Sequence, residues 1–62
     1  MNLKLALFRE EMKALLDEYD VALSIDTASN GVEVLIAEDR QTRAEYAIGP
    51  MSGKLSAEGV YQ

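Results

Sequence analysis

The chain contains no cysteine and no histidine. Without cysteine it cannot form a disulfide, and without thiolate or imidazole ligands a structural zinc site is not expected. The same absences exclude a Ser–His or Cys–His catalytic pair within the chain. Acid–base chemistry would fall to carboxylates, lysine or tyrosine, which need a cleft to act in. The sequence therefore predicts a protein that is not an enzyme, with no catalytic residues, no metal and no cofactor.

Basic residues are also scarce, because six lysines and arginines stand against eleven acidic residues and give a net charge of −5. Such a balance disfavours nucleic acid and anionic membranes as partners and favours basic protein surfaces. No stretch approaches the roughly 18 apolar residues of a membrane span. Residues 1–5 lack the apolar region of a secretory signal. We therefore expect no nucleic-acid partner, no membrane partner and a cytoplasmic location.

Sixty-two residues are few for a hydrophobic core. A chain of this length buries only roughly 60% of the surface that it exposes when unfolded. Small domains usually add a disulfide, a metal or a partner chain. With a disulfide and a metal site excluded, we expect one small domain over 1–62. It would assemble as a homo-oligomer, which we expect to be a dimer, or dock on another protein.

Residues 3–19 read as an amphipathic helix with Asn2 as its N-cap. One line of apolar side chains recurs at alternating spacings of three and four, as expected for a face that packs on a core. We name it the core stripe: Leu5, Phe8, Met12, Leu15 and Tyr19.

A second apolar line lies nearly opposite the first at 100° per residue. We name it the outer stripe: Leu3, Leu7 and Ala14. Two readings stay open for it, which are scattered surface leucines and a contact with a second chain or a partner.

Residues 21–28 and 32–37 alternate apolar and polar side chains around Asn30-Gly31, which predicts a β-hairpin with a two-residue turn. Ser29 would then lie opposite Val32, and Ile25 opposite Ile36. A third strand is expected over 43–48, followed by a loosely structured tail over 49–62. The predicted fold class is α+β, a two-layer α-β-β-β arrangement with the N-terminal helix packed on a three-stranded antiparallel meander.

One helix can cover only one face of such a sheet. On the open face the predicted register places Leu35 and Ala37 as interface residues. It also places Asp26, Glu33 and Glu45 there as an acidic triangle. A flat face offers no cleft, so we expect these carboxylates to contact a basic partner surface rather than to catalyse.

Two arginines flank the turn before the third strand. In an oligomer, Arg40 and Arg43 together with Tyr46 could surround a small anionic ligand such as a nucleotide. The alternative function that follows is an oligomeric sponge for a nucleotide signal.

The run Glu11-Met-Lys-Ala-Leu-Leu-Asp-Glu-Tyr-Asp-Val-Ala-Leu-Ser-Ile-Asp resembles the opening of many short proteins of tailed bacteriophages. In these proteins an amphipathic helix ends in a Tyr-x-Val/Ala element and enters a small antiparallel sheet. The resemblance spans roughly residues 3–48. It implies a small, often oligomeric accessory protein in the host bacterial cytoplasm. Such a protein would inhibit a host or antiviral-defence protein, sequester a nucleotide signal, or serve as a structural or regulatory module.

Overall fold

A computed structural model describes residues 2–51 and 53–62 of the chain. Within these residues the fold has one α-helix, one antiparallel sheet in the order β1-β2-β3 and a short 3-10 turn. The elements are α1 (Leu3–Tyr19), β1 (Val21–Thr27), β2 (Glu33–Asp39), β3 (Glu45–Pro50) and the 3-10 turn Ala57–Gly59. The predicted α+β class is therefore confirmed, and α1 has the predicted bounds.

Both ends of α1 are fixed by local hydrogen bonds. The Leu5 N–H donates to Asn2 Oδ1 at 3.3 Å, which is the expected N-cap. At the other end Asp20 adopts the left-handed conformation, with φ of 53°, and its N–H donates to the carbonyls of Leu16 and Asp17. The Asp20 carbonyl accepts the Arg40 N–H at 3.1 Å. A single residue thus joins helix to sheet, and the turn between β2 and β3 holds it in place.

The first hairpin has a three-residue loop, so the predicted two-residue turn is wrong. The Gly31 N–H donates to the Ala28 carbonyl at 2.9 Å, and the Ala28 N–H donates to the Val32 carbonyl at 2.8 Å. Gly31 is left-handed with φ of 85°, whereas Asn30 does not have positive φ. This is the common three-residue loop, a turn closed by a glycine in the left-handed region.

The longer loop shifts the strand register by one residue. Ile25 lies opposite Leu35, and Asp26 lies opposite Val34. Because side chains alternate with a period of two, the shift moves every β2 side chain to the other face relative to β1. The apolar residues of β1 therefore share a face with Leu35 and Ala37. The residues expected beside them, Val34 and Ile36, lie on the opposite face.

Strand β3 begins two residues later than predicted, because Arg43 is left-handed with φ of 67° in the preceding turn. A bulge follows, since Ala47 lies opposite Ile36 but Gly49 lies opposite Leu35. The expected loose tail has little regular structure beyond the 3-10 turn. It is nevertheless hydrogen-bonded to the sheet, because the Tyr61 N–H donates to the Ile48 carbonyl at 2.7 Å.

The core stripe of α1 is not covered by the sheet, contrary to the two-layer packing expected. Phe8 is 59% exposed and Tyr19 is 68% exposed, and none of the described residues of α1 is buried. The helix meets the sheet mainly at β1, the strand to which it is directly joined. The physical reason is the Asp20 junction, which fixes the direction of the helix without a linker.

The described part of the chain has no buried hydrophobic side chain. Its accessible surface is 5415 Å², whereas a compact monomer of its mass exposes about 4,000 Å². Its radius of gyration is 13.0 Å, against about 10.6 Å for a compact chain of its length. The fold is therefore open, with apolar surface available on the helix and on the sheet.

Candidate interaction surfaces

The outer stripe lies in solvent along α1. Leu3 is 70% exposed and Leu7 is 55% exposed, and Ala14 is also exposed. The core stripe on the opposite side is equally accessible, which the sequence pattern did not indicate. The helix consequently presents apolar side chains in two directions, and each needs a cover that this chain does not provide.

The sheet has one face on which large apolar side chains are exposed. We name it the Leu35 face. Its apolar members by register are Val21, Leu23, Ile25, Leu35, Ala37 and Tyr46, and its polar members are Thr27, Glu33 and Asp39. Ile25 is 54% exposed and Tyr46 is 70% exposed, while Leu35 and Ala37 are half-buried. The two interface residues predicted on the sheet thus lie among more exposed apolar neighbours from β1 and β3.

The three predicted acidic contacts do not share a face. Asp26 and Glu45 lie on the face of Ile36, but Glu33 lies opposite Thr27 on the Leu35 face. From their register, Asp26 and Glu45 are about 16 Å apart. No three acidic side chains among residues 2–51 and 53–62 form a group that could hold a metal ion. The one-residue register shift separates the three carboxylates, because their predicted grouping on one face depended on a two-residue turn.

The two arginines proposed as ligand contacts each have a carboxylate neighbour. Arg40 Nη1 lies 3.7 Å from Asp20 Oδ1, and Arg43 Nη1 lies 3.7 Å from Glu38 Oε1. Exposed pairs of this kind contribute little to stability, but they lower the local positive potential. Tyr46 lies on the Leu35 face, opposite Ala37.

Asp39 organises the turn between β2 and β3, a role that sequence reasoning missed. Its Oδ1 accepts the N–H groups of Gln41 at 2.8 Å and of Thr42 at 3.3 Å. The turn also contributes the Gln41 side chain, whose Nε2 donates to Asp20 Oδ2 at 3.3 Å. An aspartate followed by polar residues at a strand end is a known signal for such a turn. The pattern was present in the sequence.

These hydrogen bonds hold the pKa of the Asp39 carboxyl below its ordinary value, with the bond from the Gln41 N–H as the largest cause. Because the pKa of Asp39 is lower in the folded state than in the unfolded state, the ionised carboxylate stabilises the fold at pH values above the unfolded pKa. That contribution is lost as the pH falls through its folded pKa. An NMR titration should therefore find the Asp39 carboxyl half-protonated below the pH typical of aspartate.

Asp39→Asn provides the control for this titration. The amide oxygen can still accept the turn hydrogen bonds but carries no charge, so part of the acid dependence of stability should disappear. An Asp39 carboxyl that titrates at or above the ordinary aspartate pKa would contradict the turn geometry.

A shallow open groove lies where α1, β1 and the β2–β3 turn meet. Side chains of both charges and two apolar side chains line it: Lys13, Leu16, Asp17, Asp20, Val21 and Arg40. A smaller depression along the start of α1 is lined by Asn2, Leu5, Ala6 and Arg9. Neither is enclosed, so neither provides the water exclusion that a catalytic site requires. The apolar surfaces are the better candidates for function.

Comparison with protein-family models, with curated proteins and with solved structures found no match. Within the described residues, α1 falls short of the length and the apolar character that a membrane crossing requires.

Proposed function

We propose that this chain is a small, non-enzymatic, phage-type accessory protein. It self-associates and inhibits a host or antiviral-defence protein by docking on it in the bacterial cytoplasm. The observation that carries this proposal is the apolar surface of α1, which is exposed on both sides of the helix. Contiguous exposed apolar surface on a small protein marks a binding surface.

The instability of an uncovered helix adds to the argument. A helix of 17 residues is marginal in water on its own, because most helical stability in proteins comes from packing of the apolar face. The described residues of α1 contact the sheet mainly at β1, and none of them is buried. Binding to other chains would provide the missing cover, which supports a function in protein association.

Charge indicates the kind of target. With a net charge of −5, the chain would be steered towards a basic surface and away from nucleic acid. The outer stripe is the target contact that we propose, because Leu3 and Leu7 project from the first two turns of α1. The nucleotide-sponge alternative is less well supported, because Arg40 and Arg43 each lie beside a carboxylate.

Leu7→Asp should weaken target binding by about 10- to 100-fold, which corresponds to losing the burial of one leucine side chain. The measurement is a capture experiment from bacterial lysate with the immobilised protein, followed by titration of the captured target. Leu7→Met is the matched control, since it keeps an apolar side chain of similar volume and should bind normally.

Circular dichroism on both variants shows whether α1 is retained. If Leu7→Asp binds the target as tightly as the unmodified chain, the outer stripe is not the contact. If no bacterial protein is captured at all, the docking function is wrong.

A further inference from the structure

We infer that the core stripe of α1 packs on the Leu35 face of a second copy of this chain, and that the second copy's helix packs on the first in the same way. The inference rests on the self-association included in the proposed function. It adds which two surfaces meet and assigns the core stripe to self-assembly, leaving the outer stripe for the target.

The junction at Asp20 prevents the helix from covering its own sheet. Its N–H is hydrogen-bonded to the Asp17 carbonyl at 3.3 Å, and its carbonyl accepts the Arg40 N–H at 3.1 Å. Its carboxylate faces Arg40 and Gln41 as well. With helix and sheet held at this angle, the core stripe stays in solvent, and closing α1 onto its own sheet would break these bonds.

The two surfaces match in size and in chemistry. From Leu5 to Tyr19 the core stripe runs about 21 Å along α1. Strand β1 has seven residues and runs about 23 Å. The core stripe is lined by leucine, methionine and aromatic side chains, and the apolar part of the Leu35 face by leucine, isoleucine, valine, alanine and tyrosine. A helix stripe on such a sheet face is a standard two-layer packing.

A second copy supplies both missing partners at once. Each chain carries the uncovered core stripe and a Leu35 face on which Leu23, Ile25 and Tyr46 are exposed, so a two-fold axis would form the same contact twice and cover both surfaces. The interface is then closed, because no further copy is needed.

The exposed area is sufficient for a stable dimer. The accessible surface of 5415 Å² exceeds that of a compact monomer by about 1,400 Å² per chain. A stable complex needs about 800 Å² per partner, and permanent dimers bury more. Both copies carry a net charge of −5, so the attraction must come from apolar burial, and added salt should strengthen the dimer by screening repulsion.

The test uses one substitution on each proposed surface, with oligomeric state measured by sedimentation or light scattering. Phe8→Lys changes the core stripe, and Ile25→Asp changes the Leu35 face. Each should raise the dimer dissociation constant by at least about 100-fold, because a charge would enter an apolar contact. The matched controls are Leu7→Lys on the outer stripe and Ser24→Asp on the opposite face of β1, and both should remain dimers.

Mixing the two disruptive variants gives the decisive measurement. In the exchanged dimer, a Phe8→Lys chain and an Ile25→Asp chain form one unaltered contact and one contact that pairs the new lysine with the new aspartate. The mixture should therefore form a heterodimer that neither variant forms alone. Its recovery also shows that both variants can fold.

Four results would overturn the inference. One is that Ile25→Asp stays dimeric while Phe8→Lys does not. The two helices would then contact each other rather than the sheets, and the proposed self-association would still hold. Another is that the controls dissociate as readily as the test variants. A third is that mixing restores nothing. The last is a monomeric unmodified chain at micromolar concentration, which removes self-association but leaves target docking to be judged by the capture experiment.

Discussion

Dilution of this protein should lower its melting temperature by about 5 °C for each tenfold decrease in concentration. A tenfold change in concentration alters the free energy of a dimer by about 1.4 kcal/mol. Two 62-residue chains have an unfolding entropy of about 0.26 kcal/mol/K near the midpoint. The ratio of the two gives the shift.

The size of the effect follows from the absence of an internal core in residues 2–51 and 53–62. An isolated helix of this length is marginal, and three strands need a covered apolar face to be stable. We therefore expect helix and sheet to be lost together when the dimer dissociates, with no stable folded monomer remaining. Dissociation and unfolding would then be a single transition.

The measurement is thermal unfolding by circular dichroism from about 1 µM to about 100 µM protein. Phe8→Lys is the reference, because a chain that does not dimerise should show little folded signal and no melting transition across the same concentrations. A melting temperature that stays constant across this range in the unmodified chain would mean that one chain is stable alone.

The helix could be predicted from the sequence because its signals are local. The core stripe has the period of an α-helix, and Asn2 can cap the first turn without help from the rest of the chain. The existence of three strands was readable for the same reason, since each alternates over six or seven residues.

The register of the hairpin could not be read in the same way. A two-residue and a three-residue loop both place Gly31 at a position with positive φ. They differ only in whether Asn30 also adopts positive φ, which the side chain permits but does not require. That one-residue choice decided whether Glu33 shares a face with Asp26, so the acidic triangle depended on it.

Which surface contacts the core stripe could not be predicted from the sequence, for a different reason. Periodicity shows that a helix has an apolar face, but it does not show which surface meets that face. The geometry at Asp20 decides this, through a left-handed backbone and its bonds to a turn twenty residues away. Such a contact is not encoded by any local pattern.

Gly49→Ala should detach the C-terminal segment from the sheet. Gly49 is buried, and a methyl group there would lie 2.5 Å from the Gly59 carbonyl oxygen and 3.1 Å from Leu55 Cδ1. Because the nearer atom belongs to the backbone, a side-chain rotation cannot make room. We expect a loss of about 1–3 kcal/mol in unfolding free energy, as for overpacking elsewhere.

Hydrogen exchange at the Tyr61 amide reports directly on this contact, because its N–H donates to the Ile48 carbonyl. Exchange there should become much faster in Gly49→Ala. The matched control is Gly31→Ala, where the added methyl group meets nothing within 4 Å and only the positive φ is strained. That variant should lose about 1 kcal/mol but keep the Tyr61 amide protected.

The double variant Gly49→Ala with Leu55→Ala separates the two contacts at Gly49. Removing the leucine side chain frees the more distant contact but leaves the Gly59 carbonyl in place. The Tyr61 amide should therefore remain unprotected. If protection returned, the Leu55 side chain, and not the Gly59 carbonyl, would be the obstacle to a methyl group at position 49. Continued fast exchange would show that β3 and the segment approach closely through their backbones, which only glycine at position 49 permits.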